Sequence, residues 1–467
     1  MAGYPSGFDW AFVQVPAMVD KGSGTVTLQK DAFYVNKSGG RFFLKNSLAD
    51  LNQPGEYYVD KSSGLLVYYP LGDLGASKSY VSVNSGPLAK FIDVTNVTFE
   101  GFTFEHGRND AIMLQRCANV QLHGNEIREC GGCGVVVQEL GPAGSSSHDN
   151  VIQSNHLAEL GESGVTVTAG DRQTLQTANN VVQNNVITDI GQDIPAVRPG
   201  VLLSGVGNKA LNNDIYNCPS IGIQIFGNNN VAEANHIWDA CTDTGDSGAI
   251  YLSGTDASQR GNVVSDNFVE DTYARVPGND GIWGIYLDGR ASGVTVTGNV
   301  IKNSNTGLIV NGGRDNLIEN NVMIDCKTAF QVDEASHSEW KTLESSLKKV
   351  DWQHGEYARQ YPNLVNILND DPLSPKGNLI TTNVALRAEK PSLVRSIYGV
   401  HLSSNANRGK DEIGWTNNVF GESGLFVDEA HGDFTPAPGS DLAKSGFKPV
   451  RTGDAGVKPD AYITPGK

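Results

Sequence analysis

A motif close to Asn-Val-Ile-x-x-Asn-x-Ile-x-x-x-Gly-x-x-Gly-Ile-x-Leu returns along most of the chain, and no other feature restricts the fold as severely. Its copies open near Asn119, Asn150, Asn180, Asn208, Asn230, Asn262, Gly293, Asn316 and Asn378, at spacings of 22 to 32 residues before a final gap of 62. A unit this short cannot bury its own apolar face and must stack on its neighbours, so the repeat predicts a solenoid. Runs such as Val135-Val136-Val137, Ile223-Gln224-Ile225 and Leu308-Ile309-Val310 have the inside-outside alternation of strands. Gly and Asn between the runs supply the positive φ angles that bend one strand into the next. Each copy then forms a coil of three short strands, and coils stack about 4.8 Å apart in parallel ladders. The expected fold is all-β: a single-stranded, right-handed parallel β-helix.

Aligning the copies assigns much of the polar sequence to structure. Asn125, Asn155, Asn185, Asn213, Asn235, Asn267, Asn299, Asn321 and Asn383 share one place in successive coils, where stacked amides hydrogen-bond along the axis. Five residues after each of the first eight come Cys130, Leu160, Ile190, Cys218, Ala240, Thr272, Ser304 and Cys326, a column of small or apolar side chains. Cys130-Gly-Gly-Cys133 is therefore read as core rather than as a redox or zinc motif. His106, His123, His148, His156 and His236 have no metal-ligand spacing, and no metal or cofactor is expected.

Three segments depart from the repeat. Residues 1–95 hold strand-like runs around Thr25–Leu28, Arg41–Leu44, Glu56–Val59 and Leu65–Pro70, and predict a small antiparallel β-module that caps the β-helix of residues 96–432. Within that β-helix, residues 338–368 predict a helical insertion. Trp340, Leu343, Leu347 and Val350 recur at helical spacing, and a second helix is expected over Tyr361–Leu368. Residues 433–467 form a tail expected to wrap the solenoid surface.

The formal net charge of −17 and a pI near 4.9 oppose binding to nucleic acid or anionic membranes. They also mildly disfavour a bare polyuronate, unless bridging calcium or a local basic patch overcomes the repulsion, so a neutral glycan is the easier partner. No apolar run is long enough to span a bilayer, and Met1–Gly7 has neither the basic nor the apolar part of a signal peptide. The expectation is an extracytoplasmic protein whose signal is absent from this chain, monomeric or of low oligomeric order.

Because inward positions are apolar, chemistry must sit on outward strand positions and at corners. Aligning Gly248–Gly254 with Trp283–Gly289 sets Tyr251 over Tyr286 and Ser253 over Asp288. Two outward columns follow, one of Leu202, Gln224, Tyr251, Tyr286, Ile309 and Gln331, the other of Ser204, Phe226, Ser253, Asp288, Asn311 and Asp333. Aromatic faces beside carboxylates and amides suit sugar rings. Glycosidic cleavage by acid and base needs two carboxyl groups. Asp246 and Asp288 are the first choice, with Asp333, Asp243 and Asp280 as candidate third acids. Tyr251, Tyr286, Trp283, Phe226, Gln224, Asn311 and Arg314 are the expected substrate contacts. A lyase or epimerase would need a basic group near the acids, for which Arg260, Arg290 and Arg314 are available. A non-catalytic carbohydrate-binding or adhesion solenoid is a third reading.

Gly55-Glu56-Tyr57-Tyr58-Val59-Asp60, Asp246-Ser247-Gly248-Ala249-Ile250-Tyr251, Gly284-Ile285-Tyr286-Leu287-Asp288, Gly312-Gly313-Arg314-Asp315-Asn316 and Tyr361-Pro362 through Asp370-Asp371-Pro372 follow one another in a telling order. Over roughly residues 40–390 the chain resembles bacterial right-handed β-helix proteins of the pectate-lyase-like kind, akin to glycoside hydrolase family 141 and its unassigned relatives. The resemblance implies an exported glycan-processing enzyme with paired aspartates on the solenoid face, and Asp246, Asp288 and Asp333 match its acidic positions. It does not imply a substrate, because fucosidase-like and xylanase-like members both occur. Such proteins usually carry further coils before the Gly-Glu-Tyr-Tyr segment. The resemblance therefore implies a truncated or naturally short version here.

Overall fold

The computed structural model describes all residues except 21, 31–38, 77, 139–146, 277–280, 334–339, 395–400, 404–411 and 464–467. The chain divides into two compact units, Met1–Val83 and Asn84–Lys467. In the first, Ala2–Tyr4 pairs antiparallel with Val13–Gln14 and with Arg41–Phe43, Ala17–Asp20 pairs with Thr25–Leu28, and Tyr57–Asp60 pairs with Leu65–Tyr68. The Arg41 guanidinium lies over the Tyr4 ring at 4.4 Å and reaches Asp9 at 3.2 Å.

The second unit is a parallel β-helix. Its strands enter three long sheets in rotation, one strand per sheet per coil, so that neighbours within a sheet are a full coil apart in sequence except for one pair near the C-terminal end. Sheet 1 runs from Ala89–Ile92 to Lys390–Val394 with eleven strands, sheet 2 from Thr95–Glu100 to the pair His401–Ser403 and Glu412–Thr416 with twelve, and sheet 3 from Thr103–Glu105 to Val419–Gly421 with eleven. The solenoid thus begins at Ala89, ahead of residue 96.

Between the sheets lies one continuous apolar core. Inward residues such as Leu114, Val137, Val167, Leu203, Ile225, Leu252, Leu287, Val310 and Val332 succeed one another along sheet 1, all 2% exposed or less. Cys117, Cys130, Cys218, Cys241 and Cys326 belong to this core, and all six cysteines are free and buried. Burial pushes the Cys133 thiol up to about 12.

The asparagine ladder is continuous. Each Nδ2 donates to the next Oδ1, from Asn125 to Asn155 at 2.9 Å, onward through Asn235 to Asn267 at 2.9 Å and Asn321 to Asn383 at 2.9 Å, and on to Asn418 at 3.0 Å. Asparagines that open the repeat form a second ladder, with Asn150 donating to Asn180 at 2.8 Å and Asn180 to Asn208 at 3.0 Å. Both sets are buried, which satisfies the backbone at corners that no strand can reach.

The insertion departs from sequence expectation in its second half. Helix α1 spans Trp340–Leu347, but α2 spans Gly355–Gln360 and stops where the second helix was expected to begin. Pro362 disfavours helical geometry at Tyr361, which sits at φ −125°, ψ 66°, and only 3-10 turns follow at Pro362–Leu364 and Ile367–Asn369. The insertion packs on the corner between sheets 1 and 2, with Leu343, Leu347, Tyr357, Tyr361, Leu364 and Ile367 clustered against Leu175 and Ala257.

The tail lies along the solenoid's flank. Phe434, Leu442, Phe447 and Val450 pack outside sheet 3, and further on Asn184 exchanges hydrogen bonds with Lys458, Asp214 accepts from the Val457 amide, and the Tyr462 hydroxyl donates to Glu100. Among the described residues no helix is long and apolar enough to cross a membrane.

Candidate active site

The pairing registers fix the outward columns of sheet 1. Leu202 pairs with Gln224, Gln224 with Tyr251, Tyr251 with Tyr286, Tyr286 with Ile309 and Ile309 with Gln331. Ser253 pairs with Asp288, and Asn311 with Asp333. Strand polarity therefore delivers Tyr251, Tyr286, Asp288, Asn311 and Asp333 to one face within four coils.

Asp246 arrives differently, from the corner that precedes Ser247–Ser253. It occupies the left-handed region at φ 50°, which an Asp tolerates better than most residues. Gly248 makes the close approach possible. A Cβ at that position would stand 2.8 Å from the Tyr286 Cβ, so any side chain there would displace the tyrosine.

The contacts among these residues are reciprocal across coils. The Tyr286 hydroxyl donates to Asp246 Oδ1 at 2.9 Å, the Tyr251 hydroxyl donates to Asp288 Oδ2 at 2.7 Å, and Asn311 Nδ2 donates to Asp288 Oδ1 at 2.9 Å. The Tyr251 and Tyr286 rings meet edge to face at 5.3 Å, and Trp283 covers Tyr286 at 4.1 Å. Trp283 Nε1 approaches Gln331 Oε1 at 3.4 Å, and Gln331 Nε2 donates to Asp333 Oδ2 at 2.7 Å. Gln331 is the residue that sequence reasoning placed in the column without giving it a role.

Asp246 is solvent-exposed at its corner. Desolvation and the nearby Asp288 raise its carboxyl above the ordinary range, against a smaller lowering by the Tyr286 hydrogen bond. Burial and the two carboxylates push both tyrosine hydroxyls well above the usual phenol range.

Other expected residues lie apart from this cluster. Arg314 is a correction: it is 5% exposed, and its guanidinium is tied to Asp370 and the Asp370 carbonyl under the insertion rather than presented to a ligand. Arg260 is likewise buried, paired with Asp315 at 2.7 Å. Gln224 is buried beside Tyr251, and Phe226 is half-buried one coil before Ser253. Asp243 stands at the start of the Asp246 corner, its amide donating to Pro219 O at 3.0 Å. Asp280 lies outside the described residues.

A second aromatic stack, which sequence reading passed over, lies outside sheet 3. Tyr216 stacks on Trp238 at 4.3 Å and His236 on Phe268 at 4.7 Å. Trp238 is buried, and Val457 and Ile463 of the tail cluster with Tyr216, so the stack serves packing. The histidines pair with acids, as in His156 with Glu126 at 2.9 Å and His236 with Glu270 at 3.1 Å. Among the described residues no group of three or more His, Cys, Asp or Glu is arranged to hold a metal ion.

No curated protein sequence matches the chain. Among solved structures, a glycoside hydrolase aligns at TM-score 0.42 and 15% identity over 65% of this chain and 61% of its own. The XylC–xylose complex aligns at 0.39 and 12% over 82% and 63%, and a mannuronic-acid-specific family 6 polysaccharide lyase from human gut microbiota at 0.39 and 11% over 69% of each chain. The chain thus spans less than two thirds of the first two. The family model described as right handed beta helix region matches residues 29–205 and 174–323. With three sheets of parallel strands advancing one coil at a time through the matched region, the chain belongs to the right-handed β-helix family.

Proposed function

We propose that this β-helix is a carbohydrate-active enzyme, and specifically a glycoside hydrolase in which Asp246 and Asp288 act as the catalytic pair. The observation that carries this reading is the unlike surroundings of two neighbouring carboxyl groups. Asp246 is pushed toward its protonated form by desolvation and by Asp288, which suits a proton donor to a leaving glycosidic oxygen. Asp288 accepts from Tyr251 and Asn311 through separate oxygens, an arrangement that fixes the carboxylate for the base or nucleophile role. Trp283 and the two tyrosines offer the aromatic surface on which a sugar ring stacks.

Hydrolysis is favoured over β-elimination by what surrounds the acids. A lyase needs a base to take the proton beside the uronate carboxylate and a cation to neutralise that carboxylate. The raised tyrosines are poor phenolate bases at neutral pH. Of the arginines available among the described residues, Arg260 and Arg314 are buried and committed to Asp315 and Asp370, and Arg290 is buried at 3% exposure.

Asp246→Asn and Asp288→Asn, assayed separately by release of reducing ends from a polysaccharide panel, test the assignment. Each is expected to lose about a thousandfold or more in kcat, by analogy with the loss of a general acid or nucleophile. Wild-type turnover in both variants, or products bearing an unsaturated uronate, would refute it.

A further inference from the structure

The outer face of sheet 1 continues beyond the site toward the N-terminal coils, and its composition differs from that of the rest of the surface. Met113, Val136, Thr166, Leu202 and Gln224 follow one another in register up to Tyr251. They are the outward members of strands whose alternate residues are buried, as the burial alternation of Val135–Gln138, Val165–Ala169 and Val201–Gly205 records. The companion column two residues further along each strand, from Gln115 to Ser253, holds only Gln, Thr, Ser and Phe. Across six consecutive strands of sheet 1, from Ile112–Gln115 to Ser247–Ser253, no outward strand position carries a charge.

The same coils do carry charges on their other two faces. Glu126, Arg128 and Asp214 stand on sheet 3, and Lys209 and Glu233 on sheet 2. In a chain of net charge −17, a charge-free stripe confined to the sheet that bears the candidate acids is not a property of the surface in general. Two ion pairs flank it, Glu162 with Arg198 at 2.8 Å on one side and Arg172 with Asp256 at 3.0 Å on the other. Lys90, in the first coil, ends the stripe.

We infer that this stripe is the binding track for an uncharged polysaccharide laid along the solenoid axis, with several sugar units on the N-terminal side of the bond that Asp246 and Asp288 cleave. Five coil steps at about 4.8 Å each give the track a length of about 24 Å. Gln138, Thr166, Thr168, Ser204 and Ser253, none of them buried, supply hydroxyl and amide partners along most of the track, while Met113, Val136, Leu202 and Phe226 supply apolar surface for ring faces. A polyuronate would have to bring its carboxylates onto strand positions that hold no cation and then past Asp246, Asp288 and Asp333, which like-charge repulsion opposes. The inference rests on the glycosidase reading of the site and adds to it the substrate class and an internal mode of attack.

The test uses the full chain with a neutral glucan, xylan and mannan beside polygalacturonate and alginate, followed by oligosaccharides of increasing length from the polymer that is cleaved. Expected are cleavage of a neutral polymer, no cleavage of the uronates, and a kcat/KM that climbs by about tenfold or more with chain length before levelling. Thr168→Glu, at an exposed track position, is expected to lower kcat/KM on the polymer by about tenfold, with the loss shrinking as the substrate is shortened. A far-ultraviolet spectrum and melting temperature matching wild type guard against misfolding of the variant. Equal kcat/KM for the shortest and longest substrates, or an unaffected Thr168→Glu, would overturn the track and leave the aspartate pair standing, since Asp288→Asn would still abolish turnover. Preference for a uronate polymer would overturn the inferred substrate class. Absence of cleavage of every polymer by the wild type would overturn both this inference and the reading on which it rests.

Discussion

The hydroxyl of Tyr286 donates a 2.9 Å hydrogen bond to Asp246, a residue forty positions earlier that reaches it from the corner of the preceding coil. This bond joins the two carboxyl groups of the site through one side chain, because Asp288 also acts on the same phenol. It also lowers Asp246 against the larger effects of desolvation and of Asp288.

The alkaline limb of the kcat/KM profile is therefore expected to report Asp246, with activity falling as pH rises through its raised pKa. Tyr286→Phe removes the contact that lowers Asp246, so the limb should move to higher pH even as turnover falls. A limb that stayed in place or moved down would contradict this role.

The same shift has a consequence for stability. The folded state holds the Asp246 proton more tightly than the unfolded chain does, so this group's contribution is most favourable below the unfolded pKa and declines as pH rises through the raised folded value. Asp246→Asn should accordingly melt higher than wild type at neutral pH, with the difference vanishing in acid. Thermal scans at the two pH values check the sign.

Gly248 has its own expected outcome. Gly248→Ala places a methyl where the Tyr286 Cβ already stands, at 2.8 Å, and should cost about tenfold or more in kcat with a modest fall in melting temperature. Near-wild-type turnover would mean that the Tyr286 position does not matter to the reaction.

In the ladder, Asn235→Ala should destabilise by about 3 kcal/mol, since it strips partners from the Ala210 carbonyl, the Asn213 amide and Asn267 at once. Asn418, which ends the ladder and is not fully buried, should cost less on the same substitution. Denaturant melts of both variants compare them directly.

All six cysteines should resist a thiol reagent in the native protein and react together on unfolding, because each is buried and Cys133 and Cys326 are both pushed up to about 12. Fast labelling of any one under native conditions would place that thiol outside the core.

The coil alignment made most of this legible before any coordinates. A period-two strand inside a fixed repeat leaves little freedom in register, so Tyr251 over Tyr286, Asn311 beside Asp333, the ladder and the core positions of Cys130, Cys218 and Cys326 could all be read from spacing. The insertion was legible as helical, but its second helix was misplaced because the restriction imposed by Pro362 on Tyr361 outweighed the apolar pattern that follows.

What the sequence by itself determined is thus the solenoid and which residues share its outer columns, since these follow from short-range periodicity and stacking. What only the tertiary structure decided is direction and company. A corner residue such as Asp246 has no periodic neighbour to predict where its carboxyl points, and its turn through positive φ over Gly248 is what brings it to Tyr286. Arg314 shares the columns' neighbourhood in sequence, yet a charged side chain at a corner follows the nearest opposite charge. Asp370, fifty-six residues away in the insertion, draws it inward and leaves the site to its acids and rings.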